Sequence, residues 1–182
     1  MIRAFLHSGT RRFAKQFNYD AQYQHDMINT DPRAGARMAL FQMISNYAGP
    51  ASAHHVRMGA MVGSAVEGDC GPCAQLTVDM ALAYGARAAD IQASLNGAPD
   101  AAGDFGLGYQ FAWAAIRGDD VLDDLRDQIA RVHGPRAVIA ASFAAAFTRT
   151  YPVLKRGMGH GKLCQRLDVN GTTITLTHPA AA

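Results

Sequence analysis

The sequence predicts an all-α fold with a short C-terminal β-hairpin. Apolar residues make up 49% of the 182 residues and charged residues 18%, which is typical of a globular domain and unlike a disordered chain. Alanine is abundant, which favours closely packed helices. Apolar residues recur at helical spacing until the last segment, where they alternate. We therefore expect one helical domain over residues 1–165, then a hairpin and tail over residues 166–182.

Two helices are predicted in the first part of the chain. Asp31-Pro32 is an N-cap and first-turn signal for a helix that ends near Asn46. Gly49-Pro50 breaks the pattern, and the next helix is expected from about Ser52 to Val66. Its small residues, Val56, Gly59, Ala60 and Gly63, should let a second helix approach closely.

Five further helices are predicted before the hairpin. They are expected over Cys70 to Gly85, Ala88 to Leu95, Tyr109 to Ile116, Asp119 to His133 and Pro135 to Tyr151. The stretch from Gly97 to Gly108 contains several Gly and Asp residues, which indicates a loop. The nearly apolar run from Ala137 to Phe147 is too short to span a bilayer, so we interpret it as a buried core helix.

The C-terminal segment has the pattern of a β-hairpin. Arg166–Val169 and Thr172–Thr177 flank Asn170-Gly171, the strongest two-residue hairpin turn. An isolated hairpin is marginal in water. This one must therefore pack on the helical body or on a neighbouring subunit.

Charge and cysteine content indicate which classes of partner and which cellular compartment to expect. The net charge is +2, from 17 basic and 15 acidic residues, and no dense basic block with interleaved aromatic residues is present, which argues against nucleic acid as a partner. The N-terminal residues, Met1 to Lys15, lack the apolar core of a signal peptide. Three cysteines, an odd number, suit a reducing compartment. We expect a cytoplasmic protein with no membrane partner.

The chemistry-bearing motif is Cys70-Gly-Pro-Cys73, at the start of a predicted helix. Free amide donors and the positive end of the helix dipole stabilise a thiolate, and the spacing allows an intramolecular disulfide. Asp69 acts in the opposite direction, because a neighbouring carboxylate raises a thiol pKa. The alternatives are two buried packing residues or half of a metal site. Further ligands at recognisable spacing are missing, so we expect no metal and no cofactor.

The context of the dithiol resembles one helical family. Thioredoxins share Cys-Gly-Pro-Cys but place it after a buried strand, whereas Arg57–Val66 has a helical pattern. Glu67–Thr77, followed by Met80–Gly85 and Ala88–Leu95, is similar to the central region of the alkylhydroperoxidase D-like, or carboxymuconolactone decarboxylase, superfamily. The resemblance covers roughly residues 51–163.

That resemblance implies an all-helical, commonly oligomeric protein with thiol peroxidase or disulfide-reducing activity. It makes Cys73 the cysteine that attacks the peroxide and Cys70 the resolving cysteine. In members with a full proton relay, a histidine lies one turn after the second cysteine and a glutamate lies about three turns before the first. Those positions fall on Thr77 and near Met58 here. Threonine cannot act as a general base at neutral pH.

Substitutes for the relay are present nearby in the sequence. Glu67 precedes Cys70 by one turn, Gln75 follows Cys73, and His54 and His55 lie on the preceding helix. Each has a simpler interpretation: Glu67 as a solvated loop residue or a favourable charge at a helix start, and Gln75 as a partner for backbone groups. Adjacent helical histidines point about 100° apart, so at most one of them faces the dithiol.

The leading hypothesis is a redox protein that reduces a hydroperoxide or an exchangeable disulfide, with an unidentified thiol as electron donor and a homo-oligomeric state. The alternative is an inactive family member that acts as an oligomeric binding or structural protein. Decarboxylase chemistry is disfavoured because it does not require a dithiol.

His160, in a basic Gly-rich segment, is either an anion contact or part of a surface loop. Cys164 is interpreted as a buried or incidental thiol.

Overall fold

The computed structural model describes residues 2–161 and 166–176, and within them the fold is all-α with a short antiparallel hairpin, as predicted. Cys164 lies outside the described residues. The α-helices are α1 (Ile2–Gln16), α2 (Gln22–Thr30), α3 (Pro32–Ser45), α4 (His54–Glu67), α5 (Gly71–Ala83), α6 (Ala88–Leu95), α7 (Gly103–Arg117), α8 (Leu122–His133) and α9 (Pro135–Gly157). Short 3₁₀ helices, Ala51–Ala53 and Pro99–Ala102, precede α4 and α7, and the strands are β1 (Arg166–Val169) and β2 (Thr172–Thr175).

The centre of the fold is the contact between α4 and α7, where the two backbones touch. A Cβ added to Gly59 would overlap the carbonyl oxygen of Phe105, and one added to Gly108 would overlap that of Val56. Helices whose side chains meet pack 8–10 Å apart, and glycines let them come closer. The small residues of α4 therefore do what the sequence predicted.

The expectation of a loop from Gly97 to Gly108 is wrong over its second half. Residues 99–102 form a 3₁₀ helix, and α7 begins at Gly103, six residues before the predicted start. The Gly and Asp content of this stretch favours a loop in the sequence, since glycine is a poor helix former. In the structure Gly106 and Gly108 are each buried against the backbone of another segment, Pro99 for Gly106 and Val56 for Gly108, and the packing outweighs the propensity.

The last helix, α9, runs past its predicted end at Tyr151 and continues through Pro152 to Gly157. Pro152 is buried against Gly68, the C-cap residue of α4. Arg156 donates a hydrogen bond to the carbonyl of Gly68 at 2.9 Å. By length and composition alone, α9 is the one described helix that could cross a membrane, a test that core helices also pass.

The hairpin packs on the helical body, the first of the two arrangements considered from the sequence. Leu167 pairs with Ile174 across the ladder, and both are buried together with Val169. Gln75 of α5 binds the outer backbone of β1 twice: its Nε2 donates to the carbonyl of Asp168 at 2.9 Å, and its Oε1 accepts from the Asp168 N–H at 2.8 Å. A side-chain amide thus connects β1 to α5.

Candidate functional site: a dithiol at the wall of a cavity

The two cysteines form a disulfide at the N-terminus of α5. Cys70 is the N-cap residue with an extended backbone, and Pro72 occupies the first turn, where its missing N–H costs no helical hydrogen bond. The two Cα atoms are 5.2 Å apart, and both side chains are buried. Among the described residues, no group of three or more His, Cys, Asp or Glu side chains could hold a metal ion.

A cavity of about 430 Å³ lies beside this disulfide, bounded by side chains from α1 to α5 and from α9. Cys73 lines the cavity, and Cys70 does not. The volume lies within the range of small-molecule sites, roughly 300–1,000 Å³. The two sulfurs are therefore not equivalent: a small molecule in the cavity meets Cys73.

The positions that the resemblance assigns to the proton relay also line the cavity. Met58 of α4 and Thr77 of α5 both face it, as Cys73 does. Thr77 donates its hydroxyl proton to the carbonyl of Ala74 at 2.8 Å, and the Met58 side chain does not titrate. The fold thus brings the two relay positions to one cavity, and neither residue there can act as a general base at neutral pH.

His54 is the proposed substitute that lies on the cavity wall. Its Nε2 donates to the carbonyl of Tyr84 at 2.8 Å, so the neutral ring carries its proton on Nε2 and keeps a lone pair on Nδ1. His55 is not among the lining residues, and its ring packs edge-on against that of His54 at 5.5 Å between centroids. Of these two histidines, only His54 shares the cavity with Cys73.

Glu67 and Gln75 are engaged elsewhere. The Glu67 carboxylate pairs with Arg149 of α9 and, at 3.6 Å, with Arg117 of α7, so it connects three helices rather than being solvated. Gln75 binds Asp168, as described above, and its Nε2 also donates to Asp79 at 2.8 Å. Neither residue lines the cavity.

His160 and three of the cavity tyrosines are further titratable groups of this region. His160 lies 3.0 Å from a carboxylate oxygen of Asp26 and does not line the cavity. Burial raises the pKa of Tyr151 to about 12, and burial also raises the pKa values of Tyr19 and Tyr23. These three lining phenols are therefore neutral at physiological pH.

Arg57 is a site residue that the sequence interpretation missed. It lines the cavity, its Nη1 donates to Asn46 Oδ1 at 3.2 Å, and its buried Nε has no hydrogen-bond partner among the described residues. Burial lowers the pKa of Arg57, yet a guanidinium stays protonated in proteins. The available signal was its isolation, as the only charged residue in the small and apolar stretch from Val56 to Val66.

Comparisons with known proteins do not assign a family to the chain. What the protein does is therefore inferred from the dithiol and its cavity. No protein-family model, no curated protein and no solved structure matches this chain.

Proposed function

We propose that the protein is a cytoplasmic, thiol-dependent redox protein of the alkylhydroperoxidase D-like type, which reduces a hydroperoxide or an exchangeable disulfide through Cys70 and Cys73. The observation that carries this proposal is the asymmetry of the pair: Cys73 lines the cavity and Cys70 is buried outside it. A cavity-bound substrate would meet Cys73, and Cys70 stands within disulfide distance to resolve the product.

With a hydroperoxide as substrate, the Cys73 thiolate attacks the terminal oxygen. A sulfur–oxygen bond forms, the oxygen–oxygen bond breaks, and the alkoxide leaves with the proton that the Cys73 thiol gave up. The Cys70 thiolate then attacks the Cys73 sulfenic acid, the disulfide forms, and hydroxide leaves as water with the Cys70 proton. One hydroperoxide and two thiols give one alcohol, one water and one disulfide.

With a disulfide as substrate, the Cys73 thiolate attacks one substrate sulfur and releases the other as a thiol. Cys70 then attacks the mixed disulfide, so the second substrate thiol leaves and the protein disulfide closes. In either case an external dithiol must return two electrons and two protons to the protein. The thiol donor is thus part of the proposal.

Three features support thiolate formation on Cys73. Its position in the first turn of α5 places it near unpaired amide donors and the positive end of the helix dipole. Arg57 adds a cation to the same cavity, and His54, which lines the cavity and keeps the Nδ1 lone pair, is the candidate acceptor for the thiol proton. His54 replaces the relay histidine in this proposal, and Glu67 and His55 have no part in it.

The decisive experiment measures thiols in the pre-reduced protein after hydroperoxide is added. Wild type should lose the Cys70 and Cys73 thiols with one equivalent of peroxide, and Cys70→Ser should stop at a sulfenic acid that a dimedone probe labels. Cys73→Ser should not react, and Cys164→Ser is the control for the remaining cysteine. Equal peroxide consumption by all four proteins would refute a peroxidase. A parallel reaction with an aromatic disulfide separates the two substrate classes.

A catalytically inactive, oligomeric binding protein is the second candidate. It is favoured by the non-titrating residues at both relay positions, Met58 and Thr77, and the cavity would be its binding site. Exposed apolar side chains on α1 and α3, Phe5, Leu40 and Met43, support a homo-oligomer in either case. If neither peroxide nor disulfide oxidises the dithiol, this candidate replaces the first. A monodisperse monomer in solution scattering would contradict the oligomer.

A further inference from the structure

The walls of the cavity are mostly apolar. Cys73 is joined there by aromatic rings from α1 and α9 and by methionines from α4 and α5, among them Phe13, Phe143, Phe147, Met58, Met61 and Met80. Methionine side chains adapt to ligands of irregular shape, and aromatic rings provide large apolar area. The body of a matching ligand is therefore apolar.

The charge of the cavity has one sign. Among the described residues no aspartate or glutamate lines it, and the buried Nε of Arg57 has no hydrogen-bond partner there. The lining phenols of Tyr19, Tyr23 and Tyr151 are neutral, whereas Arg57 carries a full positive charge. Behind Tyr19 and Tyr23, the buried Lys155 ammonium lies 4.8 Å and 5.1 Å from the two ring centroids. A cation in such surroundings favours an anionic partner, since charge-assisted hydrogen bonds are about twice as strong as neutral ones.

The exposure of the lining residues indicates which end of a ligand lies at the cavity opening. Asn46, which holds the Arg57 guanidinium, and Tyr84 are exposed lining residues, so the cavity opens beside them. Cys73 and Met58 are buried lining residues. A ligand that enters at this opening keeps an anionic end near Arg57 and places its apolar part toward Cys73.

We propose that the cavity binds an amphipathic monocarboxylate, with its carboxylate on Arg57 and its hydrocarbon body among the methionine and aromatic side chains. The inference rests on the proposed function in one respect: if that function holds, the substrate is a hydroperoxide or disulfide carried on such an acid. Binding of the unreactive acid requires no thiol chemistry.

The test is calorimetric titration of the oxidised protein with three probes of equal chain length: decanoate, decanol and decylamine. Decanoate should bind wild type at least tenfold more tightly than decanol, and decylamine should bind most weakly. Arg57→Met, which keeps an apolar stem, should abolish the preference for decanoate and leave decanol binding unchanged. A hydrogen bond to a charged group contributes about 1.5–3 kcal/mol, which corresponds to roughly 10- to 150-fold in affinity.

Two controls keep the result interpretable. Arg126→Met removes an arginine from the exposed surface of α8 and should leave all three affinities unchanged. Arg57→Lys keeps the charge and should retain the order of the probes, whereas Arg57→Gln removes the charge, should abolish the preference for decanoate, and takes the place of Arg57→Met if that variant does not fold. Equal binding of decanoate and decanol by wild type, no binding of any probe, or an unchanged preference in Arg57→Met would overturn the proposal. Because none of the probes reacts with thiols, these outcomes are independent of the peroxide experiment.

Discussion

The two faces of α4 are built in contrasting ways. On one face, Gly59 and Gly63 bring the backbone of α4 against that of α7, with no room for a methyl group. On the other, Arg57, Met58 and Met61 border open volume. A single helix thus has one face that is rigidly held and one that is left free for a ligand. Close packing on the first face therefore fixes the positions of the side chains on the second face.

Gly59→Ala should produce the largest effect. Gly→Ala inside an exposed helix normally stabilises by about 0.5–1 kcal/mol, but here the new Cβ overlaps the Phe105 carbonyl, and overpacking costs about 1–3 kcal/mol or more. We expect the free energy of unfolding, measured in urea, to fall by about 3 kcal/mol. Gly9→Ala in α1 is the matched control: it meets no atom within 4 Å and should stabilise the protein. Equal effects of the two changes would show that α4 and α7 are not in backbone contact.

Ala144→Leu tests the cavity that borders the second face of α4, by placing a larger side chain in it from α9. Ala144 lines the cavity, so the added carbons enter open volume, and we expect a change in unfolding free energy below about 1.5 kcal/mol. Decanoate binding should be lost at the same time, because the leucine occupies the space of the hydrocarbon body. Both quantities can be measured on the same preparation.

Its control is Ala141→Leu, one turn earlier on α9. Ala141 is fully buried in the same apolar cluster as Ala60 and Ile129, so leucine there should destabilise by about 1–3 kcal/mol. If Ala144→Leu is as damaging as Ala141→Leu, the cavity is too small to hold a ligand.

The smallest effect on stability is expected at Asp79, which lies one turn after Gln75 on α5 and does not line the cavity. Partial burial raises the Asp79 pKa above 3.8, so between 3.8 and the raised value the folded state binds more protons than the unfolded state. Stability therefore falls as pH rises through that window. Asp79→Asn should remove this loss, so its advantage in melting temperature over wild type should be larger at neutral pH than below 3.8. An advantage that does not change with pH would contradict the raised pKa.

Local signals were sufficient where a segment's structure depends on its own residues. The Asp31-Pro32 cap, helix Ala88–Leu95 and the Asn170-Gly171 turn match the structure closely, and Asp31 accepts the capping hydrogen bond from the Arg33 N–H. Local sequence signals gave the wrong helix boundaries where a contact with a distant segment determines the structure. Gly106 is helical because its small size fits the Pro99 backbone, and Pro152 stays inside α9, packed on Gly68.

The candidate site could be predicted only in part, for the same reason. The spacing of Cys70 and Cys73 identifies a dithiol, but the sequence does not show that one sulfur borders a cavity and the other does not. The cavity collects side chains from six helices, between Phe13 and Tyr151, and no short pattern encodes that assembly. The choice of His54 over His55 likewise depends on the rotation of α4 in the finished fold.

The position of the hairpin also has a consequence for how the protein is made. Leu167, Val169 and Ile174 belong to the same apolar core as Val62 and Val78, which precede them by some ninety residues or more. A chain that is still being synthesised must therefore leave one side of α5 and α6 uncovered until residue 174 has left the ribosome. Chaperone binding to nascent chains of increasing length should persist up to that point and decline after it, because exposed apolar surface is what makes such intermediates prone to aggregate.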